Sequence, residues 1–279
     1  MQKKVLAIND ISCVGRCSLT VALPVISSVG LECSILPTAI LSTHTGGFTG
    51  YTFLDFTDEM KKVSKHWLEL NRKFDAIYTG FLGSIEQVSV VCDITNAFKD
   101  NNIIIVDPAM ADNGELYKIF NSEFPNEMKK LCLLGDVIIP NITEACLLTG
   151  YTYQKDNHSD EYLMGLINAL KNEGMKNIVL TGVSKKDGRI GALCYNNKTK
   201  EIYYYDEEII PGYYHGTGDV FASVFTSCFV KGKSLEESTK IAVDITVASI
   251  KETIKYPNID IKYGVCFEEV LPLLIDHIK

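Results

Sequence analysis

Near the carboxyl-terminal end of the chain, His215-Gly216-Thr217-Gly218-Asp219 runs straight into the apolar stretch Val220–Val230. Glycines ahead of a helix let the backbone approach a phosphate closely. The free N–H groups at the helix start, together with the helix dipole, favour negative charge there. Gly216, Thr217 and Gly218 therefore form a candidate anion hole. Asp219 stands where its carboxylate can take the proton from a hydroxyl as that hydroxyl attacks phosphorus. Taken alone, the four residues are more simply a turn followed by an N-capping Asp.

Three further acids have the chemistry to complete such a site. Asp107, Asp112 and Glu144 follow neighbouring predicted strands, and oxygen donors in that position suit Mg²⁺ beside a nucleotide's phosphates. Each also has an ordinary role open to it: Glu144 as a first-turn helix acid, Asp107 and Asp112 as loop residues before Pro and Gly. The chain has no Gly-x4-Gly-Lys-Ser/Thr, which excludes a P-loop kinase. It has no Gly-x-Gly-x-x-Gly either, which counts against a Rossmann dinucleotide enzyme.

Other reactive side chains offer less. The 5 histidines have no metal-ligand spacing; His44, between Thr43 and Thr45, can line a pocket but is better read as a loop hydrogen-bonding residue. The 9 cysteines are odd in number and contain no Cys-x-x-Cys, which speaks for reduced thiols over disulfides or structural zinc. Cys13 and Cys17 bracket the segment after the first predicted strand and are expected to be packing residues. Trp67 reads as a core or interface anchor on a surface helix, and Tyr203-Tyr204-Tyr205 as a strand with both faces partly covered.

The elements that must position these groups alternate along the chain. Val5–Ile8, Cys33–Leu36, Ala76–Tyr78, Ile103–Val106, Val137–Ile139 and Ile178–Leu180 are short apolar runs of the kind buried in a parallel sheet. Between them, Ser18–Val29, Asp55–Leu70, Ser84–Lys99, Glu123–Leu134 and Asp160–Asn172 have amphipathic helical spacing, with a capping box at Ser84 and Gln87 and a helix stop at Gly174. Cys33 to Leu54 carries no formal charge and, beyond its first residues, reads as a loop region. After Thr181 the pattern changes: Arg189–Tyr195 and Glu201–Tyr205 flank Asn196–Thr199 as an antiparallel edge hairpin. Helices near Asp219–Val230, Leu235–Thr253 and Phe267–Ile278 follow, with a loop at Lys255–Tyr263. Ligands in such open sheets gather at the carboxyl ends of the strands, which is where Asn9–Ser18, Asp107–Gly114 and Pro140–Glu144 fall. No linker interrupts the pattern, so residues 1–279 read as one domain.

The chain is 279 residues with 46% hydrophobic and 22% charged residues, ordinary globular usage. Lys and Arg number 27 against 35 Asp and Glu, a net charge of -8 with neither sign in a long block. A nucleic-acid or anionic-membrane partner is disfavoured, because such binders concentrate positive charge. Val5–Ile8 is too short for a secretory signal core, so a cytoplasmic protein is expected.

In kind and order the motifs resemble the ribokinase-like superfamily: Gly216-Thr217-Gly218-Asp219, Asp107-Pro108 with Asp112 and Gly114, and Pro140-Asn141-x-Thr143-Glu144. Within its vitamin kinase branch the chain is similar to pyridoxal/pyridoxamine kinases over essentially its full length, through Ser42-Thr43-His44-Thr45, Gly80-Phe81-Leu82-Gly83-Ser84 and Asp107-Pro108-x-Met110. The resemblance implies a three-layer α/β/α ribokinase-like fold with a mostly parallel central sheet and an antiparallel edge hairpin. It implies ATP-dependent phosphorylation of the 5′-hydroxymethyl group of a B6 vitamer, with Asp219 as base and Gly216–Gly218 stabilising the moving phosphoryl group. Asp10, Thr45, Phe81 and His44 then fall on the substrate side. Asp107, Asn141, Glu144, Thr181 and Gly182 fall on the ATP side, with Mg²⁺ near Asp107, Asp112 and Glu144, a monovalent cation such as K⁺, and a homodimeric assembly.

Two positions depart from the family's usual pattern: Asp10 and Ile11 where Ser and His are common, and Phe81 where Tyr is frequent. The first makes the ring contact a carboxylate, which favours a cationic vitamer. A hydroxymethylpyrimidine kinase of thiamin synthesis is the nearest alternative. Those enzymes typically end the Gly-Thr-Gly motif in Cys and carry an Ala-Gly-Ser-Asp-Ser-Gly-Gly stretch near the start, neither of which is present. A sugar or nucleoside kinase lacks support from an early Gly-Gly-rich sugar loop. A vitamin-binding carrier without turnover is opposed by the intact Gly216–Asp219 run.

Overall fold

The computed structural model describes residues 2–279. All six apolar runs are strands, and their side chains part by turns to two faces. In β1 (Lys4–Val14) Leu6 and Ile8 enter one core, Val5 and Ala7 the other. β4 (Ala76–Thr79), β5 (Ile103–Val106) and β9 (Asn177–Val183) divide the same way, with Ile77, Ile104, Val106, Ile178 and Leu180 on the first face and Tyr78, Ile105 and Val179 on the second. Period-two alternation with no polar side is what a sheet covered on both faces requires.

One face carries α2 (Thr57–Glu69), α3 (Ile85–Ala97), α4 (Phe124–Leu134), α5 (Ile142–Thr149) and α6 (Asp160–Asn172). The other carries α1 (Leu19–Ser28), α7 (Thr217–Val230), α8 (Leu235–Thr253) and α9 (Leu271–Ile278). Each large aliphatic side chain buried between layers contributes about 1.5–3 kcal/mol. With β2 (Glu32–Thr43), β3 (Phe53–Asp55), β8 (Val137–Ile138), β10 (Arg189–Tyr195) and β11 (Ile202–Glu208), the sheet order is β11-β10-β9-β8-β5-β4-β1-β2-β3. The five inner pairings from β9 to β2 are parallel, and both edges are antiparallel. The expected three-layer α/β/α fold is thus the observed one.

Three expectations need correction. Asn9–Val14 is not a loop after the first strand: β1 continues through Val14 beside β2, with its register shifting between Asn9 and Ile11. The uncharged Cys33–Leu54 stretch is strand to Thr43, turns back, and pairs again as β3, because its alternating apolar residues can cover the sheet edge. Ser84 caps α3 by accepting from Gln87 N–H, but the Gln87 side chain bonds Gly83 N, Thr38 O and Asp55, so no reciprocal box closes. Besides β3, a helix and a small hairpin went unpredicted. The helix is α5. The other is the hairpin of β6 (Ala111–Asp112) and β7 (Glu115–Leu116), whose turn is Asn113-Gly114 with φ of 52° and 84°. Asn-Gly is the preferred pair for such a turn and signalled it. Trp67 is anchored edge-on against Phe74.

Candidate active site

α7 begins at Gly216 and not at Asp219. Gly216, at φ 75°, is the N-cap, and no side chain caps the helix start. Asp219 is therefore the third helical residue, which rejects its reading as an N-capping Asp. The Thr217 hydroxyl donates to Tyr214 O at 3.1 Å, holding the turn that leads in. A Cβ on Gly216 would lie 2.0 Å from Arg16 O, and one on Gly264 2.7 Å from the same atom. Only two glycines allow the exit of β1 to lie between the start of α7 and the carboxyl-terminal loop. Arg16 N–H donates to Tyr263 O at 2.8 Å, and its guanidinium pairs with Glu268 at 2.7 Å.

Asp219 faces the end of β1. Burial raises its carboxyl to about 7, with the Asp10 charge adding to the rise, while the Ser18 backbone N–H and the Asn9 side chain oppose it. Asp10 is 4% exposed and also pushed up by burial; its carboxylate accepts from the Ser12 hydroxyl at 3.1 Å and is held by Ser18. Cys17, buried beside both acids, is pushed up by burial first and then by their charges, so it is a thiol and not a thiolate. Asp107 is raised well above the carboxylate range by burial, then by the charges of Glu144 and Asp219. Asp219 thus lies within electrostatic reach of both Asp10 and Asp107 at the strand ends.

Glu144 stands apart in its bonding. It is 3% exposed, and both oxygens are taken by backbone: Met110 N–H at 3.0 Å and Asn141 N–H at 2.8 Å. Asn141 accepts from Glu144 N–H at 2.9 Å and donates to Ala111 O at 2.8 Å, closing a reciprocal capping box on α5. Burial still raises Glu144 to about 8. The first-turn role weighed for Glu144 is the one seen, and Asn141 is its partner. Asp112 accepts from Asn113 N–H at 2.8 Å and from the Tyr213 hydroxyl at 2.7 Å.

Among the described residues no group of three or more His, Cys, Asp and Glu side chains is placed to hold a metal ion. Of the expected Asp107, Asp112 and Glu144 set, Glu144 has both oxygens on backbone N–H groups and Asp112 accepts from its own turn and from Tyr213. The strand ends nevertheless fit a hard divalent cation held largely by water and phosphate. Asp107 lies in mutual repulsion with two acids, and added positive charge relieves it.

His44 ties its own loop to the carboxyl-terminal one: Nδ1 accepts from Gly46 N–H at 3.2 Å and Nε2 bonds Lys262 O at 2.6 Å. Its ring lies 4.8 Å from that of His215, which sequence reading left as a motif member only. Thr45 shares that partly buried loop. Phe81 is half-buried, with its ring 5.9 Å from that of Phe120 and outside both hydrophobic cores. Thr181 is a partly buried strand residue whose N–H donates to Pro140 O at 2.9 Å, beside the α5 cap. Gly182, at φ 71°, is exposed with nothing where a Cβ would stand.

Comparison with known proteins follows the same lines. A family model described as phosphomethylpyrimidine kinase matches residues 23–262. A Bacteroides thetaiotaomicron chain described under the same activity, crystallised with pyridoxal, is 37% identical at a TM-score of 0.92, covering 98% of this chain and 96% of that one. Pyridoxal kinase from Lactobacillus plantarum is 29% identical at a TM-score of 0.91, covering 99% and 98%. The hydroxymethylpyrimidine/phosphomethylpyrimidine kinase of Haemophilus influenzae is 28% identical over 61% of this chain and 63% of its own. The chain spans between 63% and 65% of the length of the first curated relatives it matches.

Proposed function

The chain belongs to the phosphomethylpyrimidine kinase family, and on that premise we propose that it transfers the γ-phosphoryl group of ATP to the 5′-hydroxymethyl group of a B6 vitamer. The observation that carries this reading is the uncapped start of α7 with Asp219 one turn in, its carboxyl raised to about 7. A base with that value is half ionised near neutrality and matched to accepting a hydroxyl proton. Asp219 takes the proton as the substrate oxygen attacks, and the N–H groups following Gly216 meet the charge on the transferring phosphoryl group. Asp107 is the residue that would carry Mg²⁺ beside the phosphates. That ion supplies charge neutralisation. Residues 1–279 act as one kinase domain on this reading, in the cytoplasm and as a homodimer; sedimentation as a monomer alone at micromolar concentration would refute the last part.

The similarity to a structure crystallised with pyridoxal supports a B6 substrate, as does Asp219 in place of the Cys expected of a thiamin-pathway enzyme. Hydroxymethylpyrimidine is the second reading, favoured by the family's own description. Steady-state ATP-dependent phosphorylation of pyridoxal, pyridoxine, pyridoxamine and hydroxymethylpyrimidine decides between them. ATP consumption with none of the four returns the chain to a binding protein or a different kinase.

Asp10 sharpens the substrate. A buried carboxylate in the ring-contacting position selects the vitamer with an aminomethyl cation, by a charge-assisted bond of about 1.5–3 kcal/mol. Pyridoxamine is therefore expected to match or exceed pyridoxal, and Asp10→Ser to shift the kcat/KM ratio about tenfold towards pyridoxal. An unchanged ratio assigns Asp10 to its bonds with Ser12 and Ser18 alone.

A further inference from the structure

Asn9 lies inside β1, fully buried, where the register against β2 shifts. Its Oδ1 accepts from Asp10 N–H at 2.9 Å and from Phe81 N–H at 2.8 Å. Two donors converging on one atom fix that atom as oxygen, so the amide orientation is determined and the Nδ2 edge must point the other way. That edge faces Asp219, whose ionised form it favours, and Nδ2 is a buried donor with no other acceptor in the protein. A buried amide left half satisfied is costly, on the order of 1–3 kcal/mol. The neighbouring backbone is also cut to fit it: a Cβ on Gly80 would stand 2.2 Å from Nδ2. Gly80 N–H donates to Ile8 O, so the strand next door is pinned there and cannot retreat.

We propose that Asn9 is the positioning residue for Asp219: its Nδ2 donates to one carboxylate oxygen and turns the other towards the substrate hydroxyl. The inference rests on the phosphotransfer reading of Asp219. Asn9 then does two separable things. Oδ1 ties the end of β1 to the Gly80-Phe81 turn, and Nδ2 aims the base.

Asn9→Asp separates them, because it keeps an acceptor for Asp10 and Phe81 while removing the donor. With ATP, Mg²⁺ and the best B6 vitamer, Asn9→Asp is expected to keep the KM for both substrates within about threefold and to lower kcat about 10²-fold, the scale of a misplaced catalytic group. Asn9→Leu, lacking both functions, should fall at least as far in kcat and also melt lower. A kcat for Asn9→Asp within twofold of wild type overturns the proposal, as does a loss confined to KM. A second readout needs no turnover. In protein labelled with ¹⁵N-asparagine, the Asn9 side-chain NH₂ pair, identified by its disappearance in Asn9→Asp, should shift in Asp219→Asn. A pair that stays in place overturns the proposal. A wild type that phosphorylates no vitamer while the pair shifts removes the functional reading and leaves the positioning contact standing.

Discussion

Two helix starts lie at the same end of the sheet and are finished in opposite ways. α5 is closed by its own residues: Asn141 and Glu144 cap each other's backbone, and Glu144 also serves Met110. α7 begins on a glycine with no side-chain cap, and its third residue, Asp219, is turned to the neighbouring strand end. Both third residues are acids raised by burial, to about 8 and about 7. Glu144 has its oxygens occupied and completes a fold. Asp219 meets only the Ser18 backbone N–H and the Asn9 side chain, which on the proposed reading leaves an oxygen for a reactant. On the proposed reading, bonding more than burial or pKa separates the structural acid from the chemical one.

The largest test of that contrast is Asp219→Asn, expected to lower kcat about 10²–10⁴-fold while ATP binding and the fold persist. The same variant should gain stability. A carboxyl raised on folding to about 7 favours the native state below its ordinary value and withdraws that support as pH rises through 7. Asp219→Asn should therefore melt above wild type at pH 8, by a margin that shrinks towards pH 4. A kcat near wild type would make the two acids alike.

Next comes Gly216→Ala. A left-handed non-glycine residue costs about 1–2 kcal/mol and a clash with Arg16 O about 1–3 kcal/mol more. Lower thermal stability and a raised KM for ATP are expected together; an unperturbed protein would detach the glycine from the close approach. Glu144→Gln sets an NH₂ group against a backbone N–H and is expected to cost about 1–3 kcal/mol. The Mg²⁺ titration of that variant measures what remains of its expected metal role: an unaltered curve leaves Glu144 a cap alone. Asn141→Ala should cost about 1 kcal/mol by chemical denaturation with kcat nearly unchanged. If it instead abolished turnover, α5 would belong to the chemistry and the contrast would fail.

Much of this was legible in the residues. The apolar runs predicted the inner strands because residues buried on both faces leave no polar alternation to confuse them. α6 and α8 have the bounds their amphipathic spacing predicts, and in the structure each starts at a Ser cap. Asp219 was singled out by the glycines before it. The metal set was not legible: Asp107, Asp112 and Glu144 lie near one another in the fold, but which oxygens are already bonded depends on backbone N–H groups from distant turns. Asn9 escaped notice for the same reason. An asparagine in a strand carries no pattern, and its meaning comes from Gly80 and Phe81, some seventy residues on.

The seat of Arg16 between Gly216 and Gly264 sets a timetable for synthesis. The end of β1 leaves the ribosome well before the partners of Arg16, since its hydrogen bond to Tyr263 and its ion pair with Glu268, 252 residues on, wait for the later loop. At ordinary translation rates that interval is roughly 10–50 s. Until it ends, the loop after β1 has neither Gly264 nor Glu268 against it, so a nascent chain holds Asp219 and the start of α7 in unfinished surroundings. On the phosphotransfer reading, turnover waits until Tyr263, Gly264 and Glu268 have been made and docked.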